Sequence, residues 1–218
     1  MILGTAAVAP FFKNGYVLGC ERTHEAVLID PGDEILDLLT FASANELKIV
    51  GIPLTHAHVD HVSGVARAKR EAPGAPIYLH KADLFLYDHA VSHGTMFGLR
   101  VESPPPVDVF YDGPGPIAFG DYEIVVHHTP GHCPGGVCLQ VGKRGQQGLD
   151  QYVGDTLFAG SIGRTDLPGG NYDTLLRSIT QVLFAFGDDA RVYSGHGPTT
   201  TIGEERRTNP FLLDWMKR

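Results

Sequence analysis

Four side chains that could bind a metal ion lie close together in one short segment. The segment reads Thr55-His56-Ala57-His58-Val59-Asp60-His61 and follows an apolar stretch that is typical of a strand. Because residues i and i+2 of an extended chain point the same way, His56 and His58 can face one target. Asp60 and His61 follow where the chain turns into the next predicted helix. Imidazole and carboxylate are typical transition-metal ligands, so the segment predicts a metal site, with a solvated histidine-rich turn as the alternative.

Three further potential ligands stand beside glycine at the predicted ends of strands. They are His132 after Gly131, Asp155 after Gly154, and His196 between Gly195 and Gly197. Glycine beside a polar residue lets the backbone pack closely around a site. Each of these residues alone is typical of an ordinary turn, but together with the first segment they indicate one centre of chemistry.

The elements that must position these residues alternate between strands and helices. Apolar residues three and four apart predict helices over 33–44, 62–72 and 171–185, and one or two short helices over 202–218. Residues 81–87 are compatible with a helix, whereas 90–98 are predicted as a loop. Predicted strands cover 2–12, 15–20, 26–29, 48–54, 107–111, 116–119, 122–128, 136–141, 151–158 and 191–194. This order favours two mixed sheets packed face to face with helices outside. No linker divides the chain, which predicts one domain over 1–218.

Composition narrows the classes of partner. The chain has 17 Lys+Arg and 25 Asp+Glu, which give a net charge of -8. This charge disfavours nucleic acid as a binding partner, since the phosphate backbone is also negative. No apolar run reaches the ~18 residues that a membrane helix requires. A secretory signal begins with basic residues, and none precedes Lys13. The chain has only three cysteines, which suits a reducing compartment. We therefore expect a cytoplasmic protein that acts on a small molecule, with its oligomeric state left open.

The ligand motifs, together with Leu28-Ile29-Asp30-Pro31-Gly32, resemble those of the metallo-β-lactamase-fold hydrolases along nearly the whole chain. The resemblance implies an α/β (α+β) fold, an αββα sandwich, that binds two divalent metal ions. Asp30 would orient a metal ligand. The implied ligands of the first metal are His56, His58 and His132, those of the second are Asp60, His61 and His196, and Asp155 would bridge both. Asp60 and Asp155 are the carboxylates that we assign to catalysis.

Two further stretches, 160–166 and 204–211, look like those of the hydroxyacylglutathione hydrolases, or glyoxalase II, of the short bacterial type. The long members have a helical C-terminal domain whose basic residues help to grip glutathione. We expect no such domain here, so the identity of the thiol stays open. Arg164 stands where the longer enzymes have a lysine, which implies contact with a substrate carboxylate. A loop-stabilising arginine is the alternative. Cys133 is interpreted as a small buried side chain.

The implied chemistry is hydrolysis of a thioester such as S-lactoylglutathione. A metal-bridging hydroxide would attack the carbonyl carbon, since bound water falls towards a pKa of ~7 on zinc. A thiolate leaves without a strong general acid, and no extra acid is evident among the matched residues. Zinc is the expected metal, with iron or manganese as alternatives.

A different class of enzyme has the same motifs. A persulfide dioxygenase of this fold would use one iron, here on His56, His132 and Asp155. The intact second ligand set favours the hydrolase. A β-lactamase or lactonase is disfavoured, since a periplasmic β-lactamase needs an export signal that is not visible.

Overall fold

A computed structural model describes residues 1–111 and 115–217 of the chain. They form two compact units, Met1–Glu123 and Ile124–Arg218. Throughout the described part of the chain, every helix is too short or too polar to cross a membrane.

The first unit contains a six-stranded mixed sheet in the order β1-β2-β3-β4-β5-β6. The first three strands pair antiparallel, and the pairs from β3 to β6 are parallel. The strands are β1 (Ile2–Ala6), β2 (Gly15–Gly19), β3 (Glu25–Ile29), β4 (Lys48–Pro53), β5 (Ile77–Leu79) and β6 (Val109–Phe110). The helices are α1 (Ile35–Ala44), α2 (Val59–Val62), α3 (Val65–Glu71), α4 (Leu84–Asp88) and α5 (Ala90–Met96), with a 3₁₀ turn at Lys81–Asp83. Parallel strands bring their carboxyl ends to one edge, and the segment 55–61 follows β4 at that edge.

The second sheet has the order β14-β13-β10-β9-β8-β7 and is also mixed, because β10 pairs parallel with β13 and antiparallel with β9. Its strands are β7 (Ile117–Phe119), β8 (Tyr122–His128), β9 (Val137–Lys143), β10 (Asp150–Gly154), β13 (Arg191–Ser194) and β14 (Thr200–Thr201). A separate hairpin consists of β11 (Leu157–Phe158) and β12 (Ser161–Ile162). The helices are α6 (Tyr172–Arg177), α7 (Ile202–Thr208) and α8 (Pro210–Trp215). Two mixed sheets with helices confirm the predicted α+β class.

The core of the second unit explains why the chain folds into a helical segment after Asn171. Leu175, Leu176, Ile179 and Leu183 are fully buried in one apolar cluster, as their spacing predicts. The Asn171 side chain accepts a hydrogen bond from the Thr174 N–H over 2.8 Å and so caps α6. Beyond α6 the segment continues as a π turn at Ser178–Val182 and a 3₁₀ turn at Leu183–Phe186.

Several predicted elements were wrong in detail. The predicted strand 2–12 ends at Ala6. The predicted loop 90–98 contains α5, in which Gly94 allows close packing on Val101 and Val59. The predicted helix 62–72 is instead α2 and α3, which meet at Gly64, where a Cβ would lie 2.3 Å from the Gly32 carbonyl oxygen. The predicted strand 151–158 breaks after Gly154, whose φ of 52° turns the chain away from the sheet.

Candidate metal centre

The first unit gathers His56, His58, Asp60 and His61 between the end of β4 and the short helix α2. The ring centroids of His56 and His58 are 4.8 Å apart, and those of His56 and His61 are 4.0 Å apart. His56 and His61 are buried, whereas His58 and Asp60 are partly exposed. The Asp60 Oδ2 and His61 Nε2 atoms lie 3.7 Å apart. The predicted ligands of this unit are therefore neighbours in the structure.

Asp30 fixes the orientation of the buried histidines. Its Oδ2 atom accepts a hydrogen bond from His61 Nδ1 over 2.9 Å. Its two carboxylate oxygens also accept from the main-chain N–H and the hydroxyl of Thr55. Since the Thr55 hydroxyl proton goes to Asp30, the 3.1 Å contact between Thr55 Oγ1 and His56 Nδ1 makes His56 the donor. Both histidines therefore carry the proton on Nδ1, which leaves the Nε2 lone pair for a metal.

Close backbone packing places the Asp30 turn against α2. A Cβ at Gly32 would lie 2.0 Å from the carbonyl oxygen of Asp60. The Gly64 N–H donates to the carbonyl of Pro31 over 3.0 Å. The turn that carries Asp30 and the helix that carries Asp60 and His61 thus form one tightly packed piece of structure.

The second unit gathers the other three predicted ligands. Asp155 follows β10 and His196 follows β13, and these two strands are parallel neighbours. The Asp155 Oδ2 atom lies 3.7 Å from His132 Nε2 and 3.6 Å from His196 Nε2. These distances exceed those of hydrogen bonds. Each distance is close to the separation of two ligands of one ion, since metal bonds of about 2.0–2.2 Å separate two tetrahedral ligand atoms by about 3.3–3.6 Å.

The stretch 160–166 supports this second cluster through its backbone. The His132 Nδ1–H donates to the carbonyl oxygen of Arg164 over 2.7 Å, which leaves Nε2 as the metal-binding atom. At Gly163 a Cβ would lie 1.8 Å from the Asp155 carbonyl oxygen and 3.2 Å from His132 Nδ1. Position 163 therefore has no room for a side chain, because the loop packs directly against both ligand residues at this point. No sequence signal reveals the carbonyl contact, since every residue type has a carbonyl.

The side chain of Arg164 has a different partner from the Arg164 carbonyl. Its guanidinium donates two hydrogen bonds to Asp166, at 2.8 and 2.7 Å, and both side chains are more than half exposed. The hydrogen bond from Arg164 lowers the pKa of Asp166 to about 2. The pair is thus charged at neutral pH and accessible to solvent.

The stretch 204–211 holds the hairpin that precedes Arg164. The buried Glu205 carboxylate accepts from the Gly160 N–H over 2.9 Å and from Asn209 Nδ2 over 2.8 Å. Asn209 Nδ2 also donates to the Ser161 carbonyl over 2.9 Å. The stretches 160–166 and 204–211 are therefore in contact, since α7 and the start of α8 anchor the β11–β12 hairpin. Cys133, next to His132, is fully buried.

Comparison with known proteins identifies the family. The sequence profile described as "Metallo-beta-lactamase superfamily" matches residues 8–196. The chain belongs to this superfamily. The predicted metallo-β-lactamase fold is therefore confirmed, and the chain is a metallo-hydrolase of that superfamily.

Its relatives within the superfamily cover nearly the full length of the chain. The hydroxyacylglutathione hydrolase GloC of Haemophilus influenzae is 37% identical over 208 residues, which is 92% of this chain and 93% of GloC. The structure of TTHA1623 in a di-iron-bound form has a TM-score of 0.81 and 38% identity, covering 96% of this chain and 100% of TTHA1623. The B3 metallo-β-lactamase BLEG-1 has a TM-score of 0.86 and 35% identity, covering 97% of this chain and 99% of BLEG-1.

Proposed function

We propose that the protein is a dinuclear metal-dependent hydrolase of thioesters, with S-(2-hydroxyacyl)glutathione such as S-lactoylglutathione as its substrate. The observation that carries the proposal is the pre-orientation of three histidines. The Nδ1–H group of each of three rings donates to a protein oxygen, namely in His56, His61 and His132. The Nε2 atom of each ring is then the one that can bind a metal. Protein groups that hold a metal-binding histidine in this way are typical of metal sites and raise ligand basicity.

We assign the ligands of the two metals by the superfamily motif. His56, His58 and His132 would hold one metal, and Asp60, His61 and His196 would hold the other. Asp155 would be a ligand to both, which is supported by the 3.7 Å and 3.6 Å that separate its Oδ2 atom from His132 Nε2 and His196 Nε2. The di-iron form of TTHA1623 supports a count of two, and zinc is the metal that we expect here.

The chemistry of the site then follows from its donors. When bound, the two metals supply an acidified water and a Lewis acid for the carbonyl oxygen. Asp30 and the Arg164 carbonyl keep the ligand rings in place. The Asp30 carboxylate is engaged as a hydrogen-bond acceptor, and the hydrogen bond from Arg164 lowers the pKa of Asp166 to about 2, so neither is placed to act as a general acid, which suits a leaving group that departs as a thiolate.

The substrate assignment is supported by the similarity to GloC and by Arg164. Glutathione carries carboxylates that a guanidinium can bind in a fork, and the Arg164 side chain is 59% exposed. Asp166 occupies the guanidinium in the absence of substrate, and a substrate carboxylate would have to compete with it. An exposed pair of this kind is weak, so the competition is feasible.

A second candidate is a β-lactamase, which the 35% identity to BLEG-1 favours. An amide nitrogen needs a proton in order to leave, whereas a thiolate does not. A persulfide dioxygenase is the third activity to be tested, and it differs from both hydrolases by consuming oxygen.

The test compares these substrates on one metal-loaded preparation. Release of free thiol from S-lactoylglutathione, opening of a chromogenic cephalosporin and oxygen uptake with glutathione persulfide are measured in parallel. We expect thiol release without oxygen uptake, and its loss in His132→Gln. The matched control is His127→Gln in the same unit, where the ring bonds to Gln140 and lies outside the proposed ligand set. Faster turnover of the cephalosporin or of the persulfide would contradict the proposal.

A further inference from the structure

A lysine and a glutamate are buried together in the first unit, outside the proposed ligand set. The side chains of Lys13 and Glu34 are each only 2% exposed. Their ammonium and carboxylate groups are directly hydrogen-bonded. A buried ion pair contributes little net stability relative to apolar residues of the same size, so its role is best sought in what it holds in place.

The pair holds both ends of the turn that carries Asp30. The Lys13 ammonium donates to the main-chain carbonyl of Asp30, and Glu34 Oε1 accepts from the Gly32 N–H over 2.9 Å. Asp30 has a φ of 47°, in the left-handed region that residues other than glycine rarely adopt. The ion pair therefore stabilises an unusual backbone conformation at the residue whose carboxylate binds His61.

Two glycines leave the space that the pair occupies. A Cβ at Gly15 would lie 2.0 Å from Glu34 Oε1, and a Cβ at Gly32 would lie 2.9 Å from Lys13 Cε. Neither glycine has a positive φ, so packing and not backbone conformation requires the missing side chains: Glu34 packs against Gly15, and both the Asp60 carbonyl and Lys13 pack against Gly32. Lys13, Gly15, Gly32 and Glu34 thus form one interlocking arrangement.

We propose that Lys13 is a positioning residue that acts on His61 through Asp30. By fixing the left-handed turn, the Lys13–Glu34 pair aims the Asp30 carboxylate at His61 Nδ1 and so selects the tautomer that is protonated on Nδ1 and not on Nε2. The consequence for metal binding rests on the proposed function, whereas the selection of the tautomer does not.

The experiment compares the double variant Lys13→Met/Glu34→Gln with the wild type. The double variant removes both charges, so that neither partner is left buried alone, and Gln can still accept from Gly32. Lys69→Met is the matched control, since Lys69 makes the same two kinds of bond, to the Ala75 carbonyl over 2.8 Å and to the Asp108 carboxylate over 2.9 Å. Lys13→Gln/Glu34→Gln, which removes both charges but keeps a polar group at each position, is the milder variant should the first double variant not fold.

The first measurement is the tautomer of His61 in the metal-free protein at fixed pH, by long-range ¹H–¹⁵N NMR of the imidazole groups. The signal is assigned by its loss in His61→Asn. We expect a single Nδ1–H form in the wild type and in Lys69→Met. In Lys13→Met/Glu34→Gln we expect nitrogen shifts averaged between the two tautomers, and a smaller shift of the same kind in Lys13→Gln/Glu34→Gln.

The second measurement is competitive metal titration. In the double variant the affinity for one of the two metal equivalents should fall by about tenfold or more, with Lys69→Met unchanged. An unaltered His61 tautomer and unaltered affinities, with only a lower melting temperature, would overturn the proposal and leave the pair a purely structural role. A wild type that binds only one equivalent but shows the tautomer change would contradict the proposed function and leave the positioning role standing.

Discussion

The Nδ1 atom of His132 is hydrogen-bonded to the main-chain carbonyl of Arg164 over 2.7 Å, across 32 residues of sequence. Asp30 Oδ2 holds His61 Nδ1 in the same manner over 2.9 Å in the other unit. Each unit therefore orients a metal-binding histidine by its own means, with a carboxylate in one case and a loop carbonyl in the other.

Replacement of Gly163 by alanine should damage the ligand cluster of the second unit without touching a ligand side chain. The new Cβ would lie 1.8 Å from the Asp155 carbonyl oxygen, which is main chain and must move. We expect metal affinity to fall by roughly 10- to 100-fold, the range seen when groups that support metal ligands are lost. Gly160→Ala is the control, because space is open around its Cβ, although its φ of 70° adds backbone strain. Equal effects of the two substitutions on metal titration would contradict the account.

Arg164→Ala should separate substrate binding from metal binding. The carbonyl that holds His132 remains, while the guanidinium is lost. We expect KM for anionic thioesters to rise by about tenfold with kcat little changed, the pattern of lost uniform binding. A neutral aryl thioester should be nearly unaffected. Steady-state kinetics on both substrates check this, and equal losses would mean that Arg164 only holds the loop.

Asp166→Asn tests the competition for the same guanidinium. Because the Arg164 hydrogen bond lowers the pKa of Asp166 to about 2, the Asp166 carboxylate is ionised at pH values well above 2. The stability that this pair contributes is present above the ordinary pKa of aspartate and is lost as the pH falls through about 2. Between pH 5 and 9, roughly the working range of proteins, the pair therefore adds no pH dependence. We expect Asp166→Asn to lower KM for anionic thioesters, and an increase would contradict the competition.

Asn209→Ala should cost more than the loss of an ordinary helix cap. Asn209 caps α8 through the Phe211 N–H and also bonds to Ser161 and Glu205. Asn171→Ala removes only the cap of α6 and should cost about 1 kcal/mol. Asn209→Ala leaves buried polar groups unsatisfied as well, so its cost should be larger by about 1–3 kcal/mol. Thermal unfolding measures both, and equal melting temperatures would show that the hairpin is not anchored by Asn209.

Much of the candidate site could be predicted because local rules govern it. The i and i+2 spacing brings His56 and His58 together, and the helix start brings Asp60 and His61 beside them. Asp155 and His196 follow strands that prove to be parallel neighbours. These relationships depend on a few consecutive residues and on strand direction.

The remainder depends on contacts that residue type does not encode. The Arg164 carbonyl could belong to any residue. The Lys13–Glu34 pair joins a residue between two predicted strands to the start of the predicted helix 33–44, where charged residues are ordinarily exposed. Helix α5 was missed because Ser92, His93 and Gly94 have low helix propensity, and tertiary packing on Val59 stabilises it instead.

Asp155→Ala should abolish metal binding and activity together. Its Oδ2 atom lies within 3.7 Å of both His132 and His196, so the loss affects every ligand of its unit. We expect affinity to fall by more than about a hundredfold, beyond the effect of losing a supporting group. Asp150→Asn is the control, since this carboxylate lies on β10, the strand that precedes Asp155, and bonds to Arg191 over 2.6 Å. Retention of both metals in Asp155→Ala would show that the ligand assignment is wrong.

The most direct test of the central claim is the metal stoichiometry of the wild-type protein after anaerobic loading, measured by elemental analysis on the preparation used for turnover. The account predicts two metal ions per chain, zinc by default, with S-lactoylglutathione hydrolysed and no oxygen consumed. A stoichiometry that stays near one under excess metal, with oxygen uptake on a persulfide, would contradict it.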